Sequence, residues 1–227
     1  MTAPERPRAL RLAHRGDHRV QPENSLAAML AAMDVDGCDG LEFDVQLSLD
    51  GIPVLLHDES LQRVQGVAAQ VHELTAAQLA GHGIPTLAQV LEAVPRRAFL
   101  DVELKADLGR AVVEVLAAGR GAELLRAVVS SFEIAALERV RGLAPAWSCW
   151  LNTERLRAGD VRTARELGCT GISVDWHAID AAGLARARAE GLEVAAWTVT
   201  DPRVARRLEA SGVAAMCVEG RALDRAP

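Results

Sequence analysis

Residues 41–58 read LEFDVQLSLDGIPVLLHD. In extended chain, residues i and i+2 point to the same side, so Glu42 and Asp44 share one face and Phe43 and Val45 the other. Ser48-Leu49-Asp50-Gly51 has turn composition. No helix fits between Asp44 and Ile52, so the apolar run Ile52–Leu56 is expected to return in extended form and to deliver His57 at its end. Alternating acid and apolar residues also describe the solvated edge of a sheet. The rest of the chain decides between the two readings.

Upstream, Met1–Pro7 is a polar lead-in, and Ala9–Ala13 is a short apolar strand ending in His14-Arg15-Gly16. Asn24 or Ser25 is the expected N-cap of a helix running to about Met33. Downstream of His57-Asp58, residues 59–83 carry weak helical signals broken by Gly66, Gly81 and Gly83, the pattern of a small insertion after the third strand. From Pro85 the pattern is regular. Strands are expected at Ala98–Leu104, Ala127–Ser131, Trp147–Leu151, Gly171–Val174, Val194–Val199 and Val213–Val218. Helices are expected at Thr86–Ala93, near Arg110–Ala118 and Glu133–Arg141, around Arg155–Leu167, at Ala181–Glu190 and at Pro202–Ala210. Such alternation predicts an α/β fold with parallel strands.

Counting Leu41–Leu47 and Ile52–Leu56, the strands number nine for the eight places of a (β/α)8 TIM barrel, so one is a hairpin arm or a misreading. A distorted barrel is still preferred to an open doubly wound sheet. His14, Glu42, Asp44, His57, Glu103, Lys105 and Trp197 all fall at or near strand C-terminal ends, where barrels build active sites. An open sheet would gather them at one switch point. The whole chain, residues 1–227, is read as one barrel domain with its insertion at about 59–83.

Composition narrows the functions. Half the residues are hydrophobic, a quarter are charged, and Tyr is absent, which gives an aliphatic core. A net charge of −6 argues against nucleic acid as the main partner. Cys38, Cys149, Cys169 and Cys217 are scattered and form no metal or disulfide pattern. The N-terminus lacks an apolar leader segment, and no run is long enough for membrane insertion, so a cytoplasmic location is expected. Neither glycine-rich nucleotide motif occurs.

What remains is a set suited to phosphorus chemistry. Three carboxylates on strand ends, Glu42, Asp44 and Glu103, suit a hard divalent cation, Mg²⁺ or Ca²⁺. Two histidines, His14 and His57, can divide acid and base roles across one reacting group, and His57 stands either beside the cation or on it. Arg15 and Lys105 supply fixed positive charge for a phosphate. Together they describe metal-assisted phosphoryl transfer better than sugar or acyl chemistry.

These residues fall in segments that resemble the glycerophosphodiester phosphodiesterase family: Ala13-His14-Arg15-Gly16, Pro22-Glu23-Asn24-Ser25, Glu42-Phe43-Asp44-Val45, Asp50-Gly51, His57-Asp58, Ile84-Pro85-Thr86-Leu87, Glu103-Leu104-Lys105, Ser131-Phe132 and Trp197-Thr198-Val199. They occur in family order. The resemblance implies a distorted TIM barrel that hydrolyses glycerophosphodiesters to sn-glycerol 3-phosphate and an alcohol. It implies that Glu42, Asp44 and Glu103 bind the metal, that His14 and His57 are general base and general acid, that Arg15 and Lys105 hold the phosphate, and that Trp197 walls the pocket. Attack by the substrate's own 2-hydroxyl, through a cyclic phosphate, and direct attack by water are both open. The chain departs from the family pattern at Ser48-Leu49 and in the last strand, Met216-Cys217-Val218-Glu219-Gly220-Arg221.

Other readings compete with this one. A lysophospholipase D or sphingomyelinase D type enzyme would need an apolar tract beside the mouth. A barrel that binds phosphodiesters without turnover would not need both histidines, and a sugar-phosphate isomerase would not need the His-Arg-Gly. His14 could be a structural histidine, Glu103 and Lys105 a surface pair, and Trp197 core packing. His72, His82 and His177 are read as non-catalytic, with His82 a minor candidate for substrate contact. Asp17, His18 and Arg19 read as a solvated loop, and Arg203, Arg206 and Arg207 as an exposed helix face.

Overall fold

A computed structural model describes residues 8–224; the Met1–Pro7 lead-in lies outside the described residues. Among the described residues there are nine strands: β1 Leu10–His14, β2 Gly40–Leu47, β3 Pro53–Leu55, β4 Phe99–Leu104, β5 Ala127–Ser131, β6 Cys149–Thr153, β7 Gly171–Asp175, β8 Glu193–Val199 and β9 Ala215–Val218. Eight of them are parallel and close into a barrel, because β1 pairs with both β2 and β9. The ninth, β3, lies antiparallel on the second half of β2, with Val45 opposite Leu55. The extra strand is therefore the hairpin arm, and β2 is no solvated edge. Two expected strands shift: Trp147–Leu151 begins two residues later, and Val213–Val218 shortens at its start.

Four of the helices that separate the strands begin where short polar side chains, Ser25, Thr86, Asp180 and Asp201, cap them. Ser25 accepts from the Ala28 backbone N–H ahead of α1, Leu26–Met33. Two short helices, α2 Gln62–Gln65 and α3 Ala76–Ala80, belong to the segment after β3. Thr86 and Gln89 form a reciprocal capping box at α4, Leu87–Ala93. Next come α5 Gly109–Arg120, α6 Ile134–Leu143, α7 Ala158–Glu166, α8 Ala181–Ala189 and α9 Pro202–Ser211, the last with Pro202 at its first position. The helix expected from Arg155 starts at Ala158 instead.

The described residues form three apolar clusters. Outward-facing strand residues such as Phe43, Val45, Leu100 and Val102 pack against the surrounding helices. Val54, Leu56, Leu61, Val71, Leu79 and Ile84 form a satellite core under residues 59–83. Inside the barrel, Leu12, Val128, Trp150, Ala195 and Ala215 form an apolar plug. Two residues further along the same strands stand His14, Ser130, Asn152, Trp197 and Cys217, so the period of two lays a polar layer on that plug. One close approach is confined to glycine: a Cβ at Gly40 would lie 1.9 Å from the Phe99 carbonyl oxygen across the β2–β4 seam.

Candidate active site

The polar layer opens into a cavity of about 190 Å³ at the C-terminal end of the barrel. Its lining includes His14, Arg15, Glu42, His57, Glu103, Lys105 and Trp197, seven of the eight residues singled out from the sequence. The eighth, Asp44, lies directly behind, 1% exposed, with oxygens paired to Arg15 Nε at 3.1 Å and Lys105 Nζ at 2.8 Å. Parallel pairing of β2 with β4 sets Glu42 beside Asp101 and Asp44 beside Glu103, which brings the acids together.

One oxygen each from Glu42, Asp44 and Glu103 lies within 4.8 Å of the others. Burial pushes the Glu42 carboxyl well up, and the neighbouring charges of Asp44 and Glu103 add to it. Burial and then the Asp44 charge also raise Glu103. At Asp44 burial acts upward too, but the charges of Lys105 and Arg15 outweigh it and hold the group below its ordinary range. Glu42 Oε1 is buried with no hydrogen-bond partner. An orphaned carboxylate oxygen within a cluster of three acids is what a hard cation would satisfy, so the donor set fits Mg²⁺ or Ca²⁺.

The β1–α1 turn is tight. Arg15 has φ +57 and Gly16 φ +80, and a Cβ at Gly16 would meet the Ala28 carbonyl carbon at 2.6 Å. That turn lets the Arg15 backbone N–H donate to the Glu42 carbonyl at 2.8 Å, while its guanidinium reaches Asp44 and Glu23. His57 Nδ1 lies 2.7 Å from Asp58 Oδ1, and Arg63 from α2 clamps both Asp58 and Glu23. Gln46 Nε2 donates to the Leu56, His57 and Asp58 carbonyls and so ties the arm of His57 to β2. Trp197 packs edge-on against Phe132, ring centroids 5.6 Å apart.

Several participants were not assigned from the sequence. Glu219 reaches His14 Nδ1 at 2.5 Å and His18 Nε2 at 3.5 Å. His18 thus leaves the solvated-loop reading, as does Asp17, which is buried and paired with Arg19. Asn24 is no helix cap: it donates to Asp44 Oδ2 at 2.8 Å. Burial drives the Asp101 carboxyl up to about 7, partly offset by a hydrogen bond from Ser130. A signal for Asp101 existed, since it precedes Glu103 by two residues on one strand face. His82 lies outside this cavity, exposed in a separate hollow beside Pro22–Ala27.

Comparison with known proteins agrees with this geometry. The profile of the Glycerophosphoryl diester phosphodiesterase family matches residues 14–220. A glycerophosphodiester phosphodiesterase of Caldanaerobacter subterraneus is 33% identical over 61% of this chain and 64% of its own length, so the chain spans a little under two thirds of that relative. A phosphodiesterase of Oleispira antarctica, solved in complex with the product sn-glycerol-3-phosphate, superposes with a TM-score of 0.81 at 27% identity, covering 93% of each chain. The glycerophosphodiester phosphodiesterase of Thermotoga maritima gives 0.79 at 25% identity, covering 92% of this chain and 94% of that one. With a closed barrel, an acid-lined mouth and a match from His14 to Gly220, the chain belongs to the glycerophosphoryl diester phosphodiesterase family.

Proposed function

We propose that this chain hydrolyses glycerophosphodiesters to sn-glycerol 3-phosphate and an alcohol, with His14 and His57 as the proton-transfer pair and Glu42, Asp44 and Glu103 as ligands of a divalent cation. The observation that carries this reading is the convergence of both histidines, two of the three acids and two cationic side chains on one cavity, with the third acid just behind it. His14 takes the proton of the attacking hydroxyl as the new P–O bond forms. His57 gives a proton to the alcohol oxygen as the old P–O bond breaks. The same two duties serve attack by water and attack by the substrate's 2-hydroxyl; in the second case water then opens the cyclic phosphate, one histidine taking its proton and the other giving one to the departing 2-oxygen. Arg15 and Lys105 hold the phosphate, and Lys105 stays charged because Asp44 and Glu103 outweigh its partial burial. The cation, when bound, neutralises phosphate charge. Trp197 and Phe132 wall the pocket.

A small water-soluble diester is the substrate class, and a cytoplasmic setting fits the four free cysteines. Among the described residues no helix is long and apolar enough to cross a membrane. Phe132 and Ile134, 44% and 45% exposed after β5, favour including a lysophospholipid in the substrate panel. The test is glycerol 3-phosphate release by chelator-stripped protein resupplied with Mg²⁺ or Ca²⁺. Turnover should vanish on stripping, return with the cation, and be lost in His14→Ala and Glu42→Ala. Turnover that survives chelation or both substitutions overturns the reading, and choline release from the lysophospholipid alone would redirect it to a lipid substrate.

A further inference from the structure

Glu219 stands just past the end of β9, 205 residues from the histidine it touches. The β1–β9 seam makes the contact. Leu12 pairs with Cys217 and Ala13 with Val218, so His14 and Glu219 come next in register, and the Glu219 backbone N–H donates to the Val199 carbonyl at 3.0 Å. The carboxylate therefore meets His14 from a fixed direction. His14 lines the cavity, whereas Glu219 and His18 are absent from its lining.

We propose that Glu219 is the positioning residue of His14, holding its Nδ1–H so that a bare Nε2 faces the reacting phosphate. An ionised carboxylate only accepts hydrogen bonds, so at 2.5 Å the proton of a neutral imidazole must sit on Nδ1. The hydrogen bond from His14, with the His18 imidazole close by, keeps the Glu219 carboxyl well below its ordinary range, which preserves that acceptor. The ring's other nitrogen then lies on the Glu42 side, 3.7 Å from Oε2, turned toward the acid cluster. His18 Nε2, at 3.5 Å from the same Glu219 oxygen, braces the carboxylate from the loop after β1. Glu219 touches no substrate in this scheme and works only through His14.

This inference rests on the proton-transfer role given to His14, and its test separates the two. Glu219→Ala, Glu219→Gln and Glu219→Asp are assayed with a glycerophosphodiester such as glycerophosphocholine. The His14 tautomer is read from two-bond proton–nitrogen correlations in metal-free and Mg²⁺-loaded protein. Wild type should show Nδ1–H. Glu219→Ala should lose about 100-fold in kcat with KM within about threefold, and its His14 should shift toward the Nε2–H form. Glu219→Asp, shorter by one methylene, and Glu219→Gln, which keeps an acceptor oxygen, should each recover part of the rate. A kcat within threefold of wild type in Glu219→Ala overturns the proposal, provided His14→Ala is inactive; if His14→Ala is itself active, the proton-transfer role fails first. Should Glu219→Ala not fold, an Nε2–H tautomer in wild type is enough to overturn it.

Discussion

The two histidines at the mouth each present Nδ1 to a carboxylate, but they come by that partner in opposite ways. Asp58 follows His57 in the chain, so covalent adjacency delivers it, and Arg63 of the insertion steadies it from outside. Glu219 reaches His14 only after the last strand has closed the barrel against the first. The His57 side chain is 35% exposed and its acid rests on a surface ion network; His14 is 14% exposed and its acid rests on the sheet. One arm is local and more exposed, the other a product of closure. Under the proposed roles, the more exposed arm is the one that meets leaving alcohols of varied size, and the more buried one meets the attacking hydroxyl.

The largest test of that contrast is substitution of the histidines themselves. His14→Ala and His57→Ala should each lower kcat by about 10²–10⁴ with natural diesters. With a p-nitrophenyl leaving group, which departs without protonation, the His57→Ala loss should shrink to about tenfold, while the His14→Ala loss stays. Equal recovery by both variants would erase the assignment of acid and base. A smaller effect is expected at the clamp: Arg63→Ala should cost about tenfold in kcat with natural diesters and almost nothing with the activated one. Burial and hydrogen bonding argue that this loss spares the His14 arm, so His14→Ala/Arg63→Ala kinetics should show no coupling.

The smallest effect leaves both arms standing. In metal-free protein the Asp101 carboxyl sits at about 7, against an ordinary value of 3.8, so the folded state binds the extra proton between those limits. Stability should therefore fall as pH rises from about 4 to about 7 and level off above that. Asp101→Asn removes this slope and should be more stable than wild type at pH 8 by ~1 kcal/mol or more in urea unfolding. Parallel pH curves for the two proteins would show that Asp101 does not carry the burial cost assigned to it.

The contrast between the arms also marks what could be seen in the sequence. The barrel was legible because buried parallel strands alternate with amphipathic helices at short spacing, and because every chemical residue fell at a strand end. Glu42, Asp44, His57, Glu103 and Lys105 sit in two short segments whose period of two already gives their faces. The hairpin was legible in outline: the turn at Ser48–Gly51 left no room for a helix, although only the pairing of β3 with β2 shows which strand is the extra one. Glu219 was not legible, since nothing local distinguishes an acid after a strand that meets a histidine from one that meets water. The cap expected at Asn24 or Ser25 is Ser25, and the other role of Asn24 was hidden for a related reason. Its type and position match a helix cap, and only the fold brings the Asp44 carboxylate within its reach.

Beneath the acids, Leu12, Val128, Trp150, Ala195 and Ala215 seal the barrel floor, each 3% exposed or less. The chamber is therefore a cul-de-sac. Under the proposed activity, glycerol 3-phosphate could not drain away through the axis while a fresh diester enters from above; arrival and departure would share one doorway. Traffic through that doorway would have to alternate, so accumulated product is expected to slow turnover by competing with the next molecule for the entrance.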